Sequence, residues 1–199
     1  MLLLTLAACS SFETAGEPAD GFVTPALRDA YLPLHASAYV VLEERGAGVI
    51  IAPGIAVTNA HNSDLIDKKS VIGISRNFDL MFFRVAAGTP SLIMAPHIGQ
   101  DVLAYGQGAD NELRVAHGVI RGTDVEMPPN CDGCEPANAI AFEADAGHGF
   151  SGRPLVDAKT GALLGITFGF RKSDEAQKER IMYAYNMAHV MAELGKVKR

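Results

Sequence analysis

The sequence predicts an all-β protein built from many short strands, and three observations support this class. Short apolar runs rich in Val, Ile, Phe and Tyr recur from about residue 38 onward. Gly, Pro, Asn and Asp, the residues that favour turns, separate these runs at regular intervals. A helical spacing of apolar residues is found only at the C-terminal end. We therefore expect a β-sandwich or a β-barrel.

Each predicted strand is a short apolar run that ends at a turn signal. Pro53 and Gly54 separate two runs and predict a hairpin, Arg76 and Asn77 separate the next two, and Gly99 precedes the second half of the pattern. In chain order the predicted strands are 38–42 (followed by a predicted turn at 43–46), 48–52, 55–58, 70–75, 80–85, 102–105, 113–120, 139–142, 154–156 and 162–168.

The C-terminal end predicts one short helix. Met187, Val190, Met191 and Leu194 follow the i, i+3, i+4, i+7 spacing of one helical face. We expect this face to pack on the core rather than to bind a partner.

Composition and charge exclude several classes of protein. The 199 residues are 48% hydrophobic and carry a net charge of −6, which suits one globular domain or one double-lobed domain. The chain has no long run of Lys and Arg, so we expect no nucleic-acid partner. The longest apolar stretches are far below the roughly 18 residues that cross a bilayer, which excludes an integral membrane protein.

The N-terminal residues predict export and lipidation. Residues 1–8 are apolar and end in small residues, as a signal peptide does, although no Lys or Arg precedes them. Leu6 to Cys9 resembles the bacterial lipobox, in which the Cys is acylated; the alternative is an apolar start with a chance Cys. We therefore expect a lipidated Cys9 with a flexible tether over residues 9–30, and a folded domain over 31–199. Because Ser10 follows the Cys, we expect a periplasm-facing protein of the bacterial outer membrane.

Three segments carry residues suited to nucleophilic catalysis. The first places His61 at the end of a strand, within the run Thr-Asn-Ala-His. The second places Asp79 just before an apolar strand, and the third places Ser151 in a Gly-rich turn that precedes a buried strand. Acyl transfer by a serine needs a base, a carboxylate that orients the base, and N–H donors for the oxyanion. Asp64 and Asp67 are alternatives for the carboxylate, and the other five His residues have no such sequence context.

The order His, Asp, Ser and these local motifs resemble the trypsin-like serine proteases of the chymotrypsin fold. The resemblance runs from about residue 38 to the C-terminal helix. It implies two antiparallel barrels, divided near residues 90–100, with a short C-terminal helix. It also implies that Ser151 is the nucleophile, His61 the base and Asp79 the orienting acid, with the N–H groups of Gly149 and Ser151 forming the oxyanion hole.

Three departures from the family pattern stand out. Asp79 follows His61 by only 18 positions, which leaves room for one strand where the family has two. Phe150 replaces the usual Asp or Asn before the nucleophile, and Arg153 replaces a Gly. In members activated by cleavage that Asp pairs with a new N-terminal ammonium, so Phe150 argues against such activation. Both replacements leave open a weakened oxyanion turn.

Four further residues carry more general predictions. Asp145 lies six residues before Ser151, at the position where trypsin has the acid that selects Lys or Arg side chains. His148 lies beside the oxyanion turn. Both residues are candidates for substrate contact, and both also fit an exposed loop. Cys131 and Cys134 fit a redox pair, half of a zinc site or a loop disulfide. The surrounding prolines and the lack of a second Cys pair favour the disulfide.

The function predicted from these residues is that of a serine endopeptidase acting on peptides or proteins. It needs no cofactor and no metal. A non-catalytic lipoprotein that uses the same fold for binding is the alternative. An α/β-hydrolase is disfavoured because Arg153 stands where its second Gly belongs and a strand follows the serine.

Overall fold

The structure, a computed structural model, describes residues 15–38, 42–86, 88–108, 112–128, 137–171 and 180–198. Within these ranges the chain forms two antiparallel β-sheets and a short C-terminal helix. This confirms the all-β class and the C-terminal helix. Residues 85–86 and 88–100 lie between the last strand of the first sheet and the first strand of the second.

The first sheet is open and has five strands. They are β2 (Tyr31–Ala38), β3 (Leu42–Ala52), β4 (Ile55–Thr58), β5 (Val71–Ile74) and β6 (Met81–Arg84). Their order is β2-β3-β4-β6-β5, and in the described part of the chain no pairing joins the edge strands β2 and β5. β5 alone lies between the segments of His61 and Asp79, as their short separation predicts.

The second sheet closes into a barrel of six strands. They are β7 (Asp101–Gln107), β8 (Leu113–Met127), β9 (Ala137–Ala144), β10 (Pro154–Asp157), β11 (Leu163–Arg171) and β12 (Arg180–Asn186). The order is β8-β7-β10-β11-β12-β9, and pairing of β9 with β8 completes the circle. The long strand β8 can pair with both neighbours because its two halves bond to β7 and to β9 in turn.

Three further elements pack on this frame. The two-residue strand β1 (Glu17–Pro18) pairs with β8, and the helix α1 (Pro25–Ala30) precedes β2. Thr24 caps α1 by accepting the N–H of Leu27, which is itself buried. The C-terminal helix α2 (Met187–Val197) follows β12 directly. Residues 15–30, which we expected to belong to a flexible tether, are thus packed against both sheets.

The alternation of side chains along the barrel strands makes two separate cores. On β7, Val102 and Ala104 point into the barrel, while Leu103 and Tyr105 point outward. The outward set joins the first sheet, α1 and α2 in one large cluster, because successive side chains of a strand face opposite sides. Burial of this shared surface holds the two sheets together.

One local prediction was wrong. Residues 43–46, expected to be a turn, lie inside β3 and pair with β2. β2 was not predicted, because its sequence contains a Pro and a His and has no clear apolar alternation. Pairing with β3 outweighs these weak local preferences, since strand formation depends strongly on context.

Several predictions fall on residues outside the described ranges. Cys9 and the signal peptide are among them, as are Cys131 and Cys134 with their expected disulfide. Among the helices in the described ranges, none is long and apolar enough to cross a membrane.

Candidate active site

His61 is placed by a densely bonded segment at the end of β4. Thr58 is fully buried and donates its hydroxyl proton to the Ala47 carbonyl at 2.6 Å, and Asn62 donates to the Thr58 hydroxyl at 3.0 Å. Asn59 donates to the Asp79 carbonyl at 2.8 Å. His61 follows in a 3-10 helix that spans Ala60–Leu65. The side chains around His61 thus fix the backbone that presents it.

Both carboxylate oxygens of Asp79 accept hydrogen bonds from His61. Oδ1 accepts the backbone N–H of His61 at 3.0 Å, and Oδ2 lies 2.6 Å from the ring Nδ1. Nδ1 therefore carries a proton and donates it to the carboxylate, which leaves Nε2 as the proton acceptor. The His61 side chain is half-exposed, whereas the Asp79 side chain is only 18% exposed.

The charge of Asp79 makes His61 a stronger base. The hydrogen bond from Nδ1 to the carboxylate raises the pKa of His61 above its ordinary value, and the partial burial of the ring opposes this shift. The His61 imidazole is therefore a better proton acceptor than an isolated one. A general base of this kind suits chemistry near neutral pH.

The loop that carries Asp79 is held by the barrel. The Tyr185 hydroxyl on β12 accepts the backbone N–H of Asp79 at 3.1 Å. Its ring stacks on Phe168 at 3.9 Å between centroids and meets the edge of Phe78 at 5.3 Å. Burial raises the pKa of Tyr185 to about 12, so this hydroxyl stays protonated at any physiological pH.

The C-terminal helix holds the same loop from the other side. The Ser75 hydroxyl accepts the N–H of Phe78 at 3.1 Å and donates to the Glu193 carboxylate at 2.5 Å. Glu193 is 3% exposed, and its second oxygen lies 2.6 Å from the Lys196 ammonium. A buried polar side chain needs such hydrogen-bond partners, because burial without them is costly. Helix α2 is thus tied to the residue next to Asp79.

Ser151 lies in a turn between β9 and β10 that depends on Gly149. The N–H of Phe150 donates to the Gly147 carbonyl at 3.2 Å, and Gly149 has a φ of +88°, as in a type II turn. A Cβ atom at Gly149 would overlap the Gln107 carbonyl oxygen, so no larger residue fits here. Within the described ranges, the N–H groups of Gly149 and Ser151 donate to no other residue.

Arg153 supports this turn instead of weakening it. Its side chain is 2% exposed and donates to the Tyr31 hydroxyl at 3.0 Å, to the Gln107 amide oxygen at 2.9 Å and to the Gly149 carbonyl. The N–H of Gln107 also donates to the Gly149 carbonyl, at 3.0 Å. The fixed fork of a guanidinium suits this role, because one side chain can hold three groups in fixed positions.

The turn of Ser151 contacts the segment of His61 at Gly152. A Cβ atom on Gly152 would lie 2.8 Å from the Asn62 amide nitrogen and 2.9 Å from the Thr58 hydroxyl. The N–H of Gly152 also donates to the Thr167 carbonyl at 2.8 Å, which anchors the turn to β11. In the described part of the chain, no hydrogen bond joins Ser151 to the His61 ring. Such bonds are often long before a substrate binds.

The other predicted residues lie nearby or elsewhere. Asp145 and His148 are both exposed, and the His148 ring meets the Phe170 ring edge-on at 5.2 Å. Asp64 is exposed, and Asp67 accepts the N–H of Lys69 within its own turn, so neither replaces Asp79. Among the described residues, no group of three or more His, Cys, Asp or Glu side chains could hold a metal ion.

Sequence reasoning missed the residues that support the site. Tyr185, Ser75 and Glu193 act through contacts between residues that are distant in the chain, and their local sequence gives no signal of this role. Arg153 did give a signal, since a charged residue directly before a buried apolar strand must find buried partners.

The pKa of His61 tests this account of the pair. We expect Asp79→Asn to lower that pKa toward or below about 6.5, because the amide carries no charge and accepts a weaker hydrogen bond. NMR titration of the His61 ring protons measures the change. Asp67→Asn is the matched control and should leave the pKa as it is. An unchanged pKa in Asp79→Asn would contradict the observed pairing.

Comparison with solved structures identifies the fold. The chain resembles the Rv3671c protease of M. tuberculosis in its active form, with a TM-score of 0.67 and 20% identity over 86% of this chain and 82% of that one. It also resembles the HtrA-type protease AlgW with a tripeptide, with a TM-score of 0.68 and 20% identity over 87% of this chain and 62% of that one. A serine endoprotease from Yersinia pestis gives a TM-score of 0.63 and 22% identity over 87% of this chain and 64% of that one.

Sequence comparison gives no further assignment. No family model matches the chain, and no curated protein matches it. The structural likeness is strong while the identity is low, so it bears on architecture. The chain has the chymotrypsin fold that these HtrA-type and trypsin-like serine proteases share.

Proposed function

We propose that this protein is a serine endopeptidase in which Ser151, His61 and Asp79 form the catalytic triad. The observation that carries the proposal is the pairing of His61 Nδ1 with Asp79 Oδ2 at 2.6 Å, beside the turn that bears Ser151. That pairing fixes the tautomer a serine nucleophile needs in its base. The chymotrypsin fold of the chain supports the same assignment.

Acylation begins with the Ser151 hydroxyl. Its oxygen attacks the carbonyl carbon of a peptide bond while the proton passes to His61 Nε2. The carbonyl oxygen becomes negatively charged and accepts hydrogen bonds from the N–H groups of Gly149 and Ser151. Asp79 stabilises the imidazolium that forms and keeps its ring in place. The C–N bond then breaks, and the leaving amine takes the proton from His61.

Deacylation repeats these steps with water. His61 takes a proton from the water molecule, whose oxygen attacks the acyl carbon. The second tetrahedral intermediate collapses, and the Ser151 oxygen recovers its proton from His61. The peptide leaves as a carboxylic acid, and the enzyme returns to its starting state.

Two exposed residues beside the nucleophile turn are proposed substrate contacts. Asp145 and His148 lie on the strand end and turn that precede Ser151. The Arg180 guanidinium lies close to this segment, 3.5 Å from the Ala146 carbonyl and 5.4 Å from the centre of the Phe170 ring. This positive charge partly offsets the field of Asp145, so we expect at most a weak preference for Lys and Arg side chains.

A fluorophosphonate tests whether Ser151 is an activated nucleophile. We expect the probe to label the wild-type protein covalently, because His61 removes the hydroxyl proton during attack. Ser151→Ala should abolish labelling, and Asp79→Asn should reduce turnover of an ester substrate by about 10⁴. Ser70→Ala changes a half-buried turn serine and should label like the wild type. Mass spectrometry of the labelled peptide identifies the site.

The same experiment distinguishes the alternative function. A folded wild-type protein that takes up no probe would contradict the endopeptidase and favour a binding module with a protease fold. Labelling at a serine other than Ser151 would contradict the assignment of the nucleophile.

The pH dependence of the reaction follows from the raised pKa of His61. His61 must be neutral to accept the Ser151 proton, so activity is lost as the pH falls through that pKa. Because Asp79 raises it, we expect the acid limb of kcat/KM to have its midpoint above about 6.5. Steady-state rates between about pH 5 and 9 measure the midpoint. A midpoint well below 6 would contradict His61 as the base.

We also propose that Cys9 is acylated and tethers the protein to a bacterial membrane, most simply the outer membrane given Ser10. The run of Leu and Ala before Cys9 supports this. Expressed with an export signal, the wild type should fractionate with membranes, and Cys9→Ala should move it to the soluble fraction. Cys134→Ala is the control and should fractionate like the wild type. Equal fractionation of all three proteins would contradict lipidation at Cys9.

A further inference from the structure

The N-terminal arm, which we define as residues 15–22, crosses the barrel and reaches the turn of Ser151. Glu17 pairs with Val115 and Pro18 with Arg114, and the N–H of Ala19 donates to the Leu113 carbonyl at 2.9 Å. These bonds add the arm to the free edge of β8. The arm therefore belongs to the barrel, although it precedes both sheets in the chain.

The arm is fixed by side chains as well as by its backbone. The Arg114 guanidinium donates to the Gly16 carbonyl at 3.3 Å, and His117 lies 3.2 Å from the Glu17 carboxylate. The hydroxyl of Tyr105 accepts the N–H of Val23 at 2.8 Å, just after the arm ends. These contacts hold both ends of the segment.

The first residues of the arm pack against the ring of Phe150. Gly16 has a φ of +73°, and a Cβ atom on it would lie 2.9 Å from the Phe150 Cζ. A Cβ atom on Gly106 would lie 2.5 to 2.7 Å from three carbons of the same ring. Phe150 is 1% exposed, and Ala15 is buried in the same core cluster. The ring therefore packs closely against two glycines, one from β7 and one from the arm.

Phe150 links this packing to the oxyanion hole. It stands between Gly149 and Ser151, whose N–H groups we assign to the hole. The position of its side chain fixes the backbone dihedrals at residue 150, and these dihedrals set the angle between the two N–H groups. A well-packed aromatic ring has few alternative positions, so movement of the ring requires movement of the turn.

We propose that Gly16 is a positioning residue for the oxyanion turn: by packing against the Phe150 ring it holds the Gly149 and Ser151 N–H groups in the geometry that receives the substrate oxygen. This inference rests on the proposed endopeptidase function. It assigns the arm a part in catalysis without any contact with the substrate. A shift of the arm would lower turnover while leaving the pair of His61 and Asp79 intact, because that pair belongs to the other sheet.

Gly16→Ala in the full-length protein tests the proposal. The new methyl group meets the Phe150 ring and the Val115 carbonyl, so we expect kcat for an ester substrate to fall roughly 10- to 100-fold, with little change in KM. The His61 pKa measured by NMR should not change. Gly99→Ala is the matched control, since Gly99 also has a positive φ, +81°, but nothing lies within 4 Å of its would-be Cβ. It carries the same backbone strain and should retain the wild-type kcat.

A double-mutant cycle separates positioning from a general loss of stability. Phe150→Leu shortens the side chain that Gly16→Ala would strike. If the contact transmits the effect, the combined variant should lose less activity than the product of the two single losses. Multiplicative losses, or equal losses in Gly16→Ala and Gly99→Ala, would overturn the proposal.

A second readout does not depend on activity. The N–H of Gln107 donates to the Gly149 carbonyl, so its hydrogen-exchange rate reports on the order of the turn. We expect faster exchange in Gly16→Ala than in Gly99→Ala. If the wild type takes up no fluorophosphonate, the endopeptidase proposal fails, and this comparison still decides on the arm: faster exchange in Gly16→Ala supports its role, and equal or slower exchange overturns it.

A third variant covers the case in which Gly16→Ala does not fold. Arg114→Met removes the side-chain bond to the Gly16 carbonyl and adds no atom to the arm. It should lower kcat and speed exchange of the Gln107 amide in the same direction. Wild-type values for both would overturn the proposal.

Discussion

The hydrogen bond between His61 and Asp79 exists because elements from the whole chain hold a single loop. The Asp79 loop lies in the first sheet, but the Tyr185 hydroxyl of the barrel accepts its backbone N–H, and Glu193 of the C-terminal helix holds Ser75 a few residues earlier. The large shared core underneath fixes the distance between these elements. A carboxylate on an unsupported loop would not hold an imidazole in one tautomer.

The turn that bears Ser151 is also held in place by distant parts of the chain, through different residues. Gly149 supplies the backbone conformation, and the buried Arg153 and the arm hold that conformation from two sides. Phe150 and Arg153 depart from the family pattern, yet both are buried and well packed. The departures therefore exchange one form of support for another: apolar packing and a guanidinium fork occupy the region where a charged pair would otherwise be expected.

The sequence predicts much of the fold and the candidate site, because local patterns determine them. The hairpin around Pro53 and Gly54, the terminal helix at Met187 and the single strand between His61 and Asp79 all follow from spacing or turn residues. The strand at Tyr31 and the docking of residues 15–30 do not, because they depend on partners far along the chain. Tyr185 and Glu193 were missed for the same reason: a Tyr in a strand and a Glu in a helix are ordinary until the fold brings them to the Asp79 loop.

The long sequence separations within the site determine when it can form. The arm bonds to Arg114, 98 residues later, and Asp79 bonds to Tyr185, 106 residues later. Contacts between such distant residues form late in folding, because closing long loops costs entropy before the contacts stabilise the chain. A chain synthesised from its N-terminus reaches Arg114 well before Tyr185, so the contact of Asp79 with Tyr185 waits for the last strand of the barrel. His61 and Asp79 are therefore synthesised long before Tyr185 and Glu193, which hold their loop, and the pair is fully supported only at the end of folding.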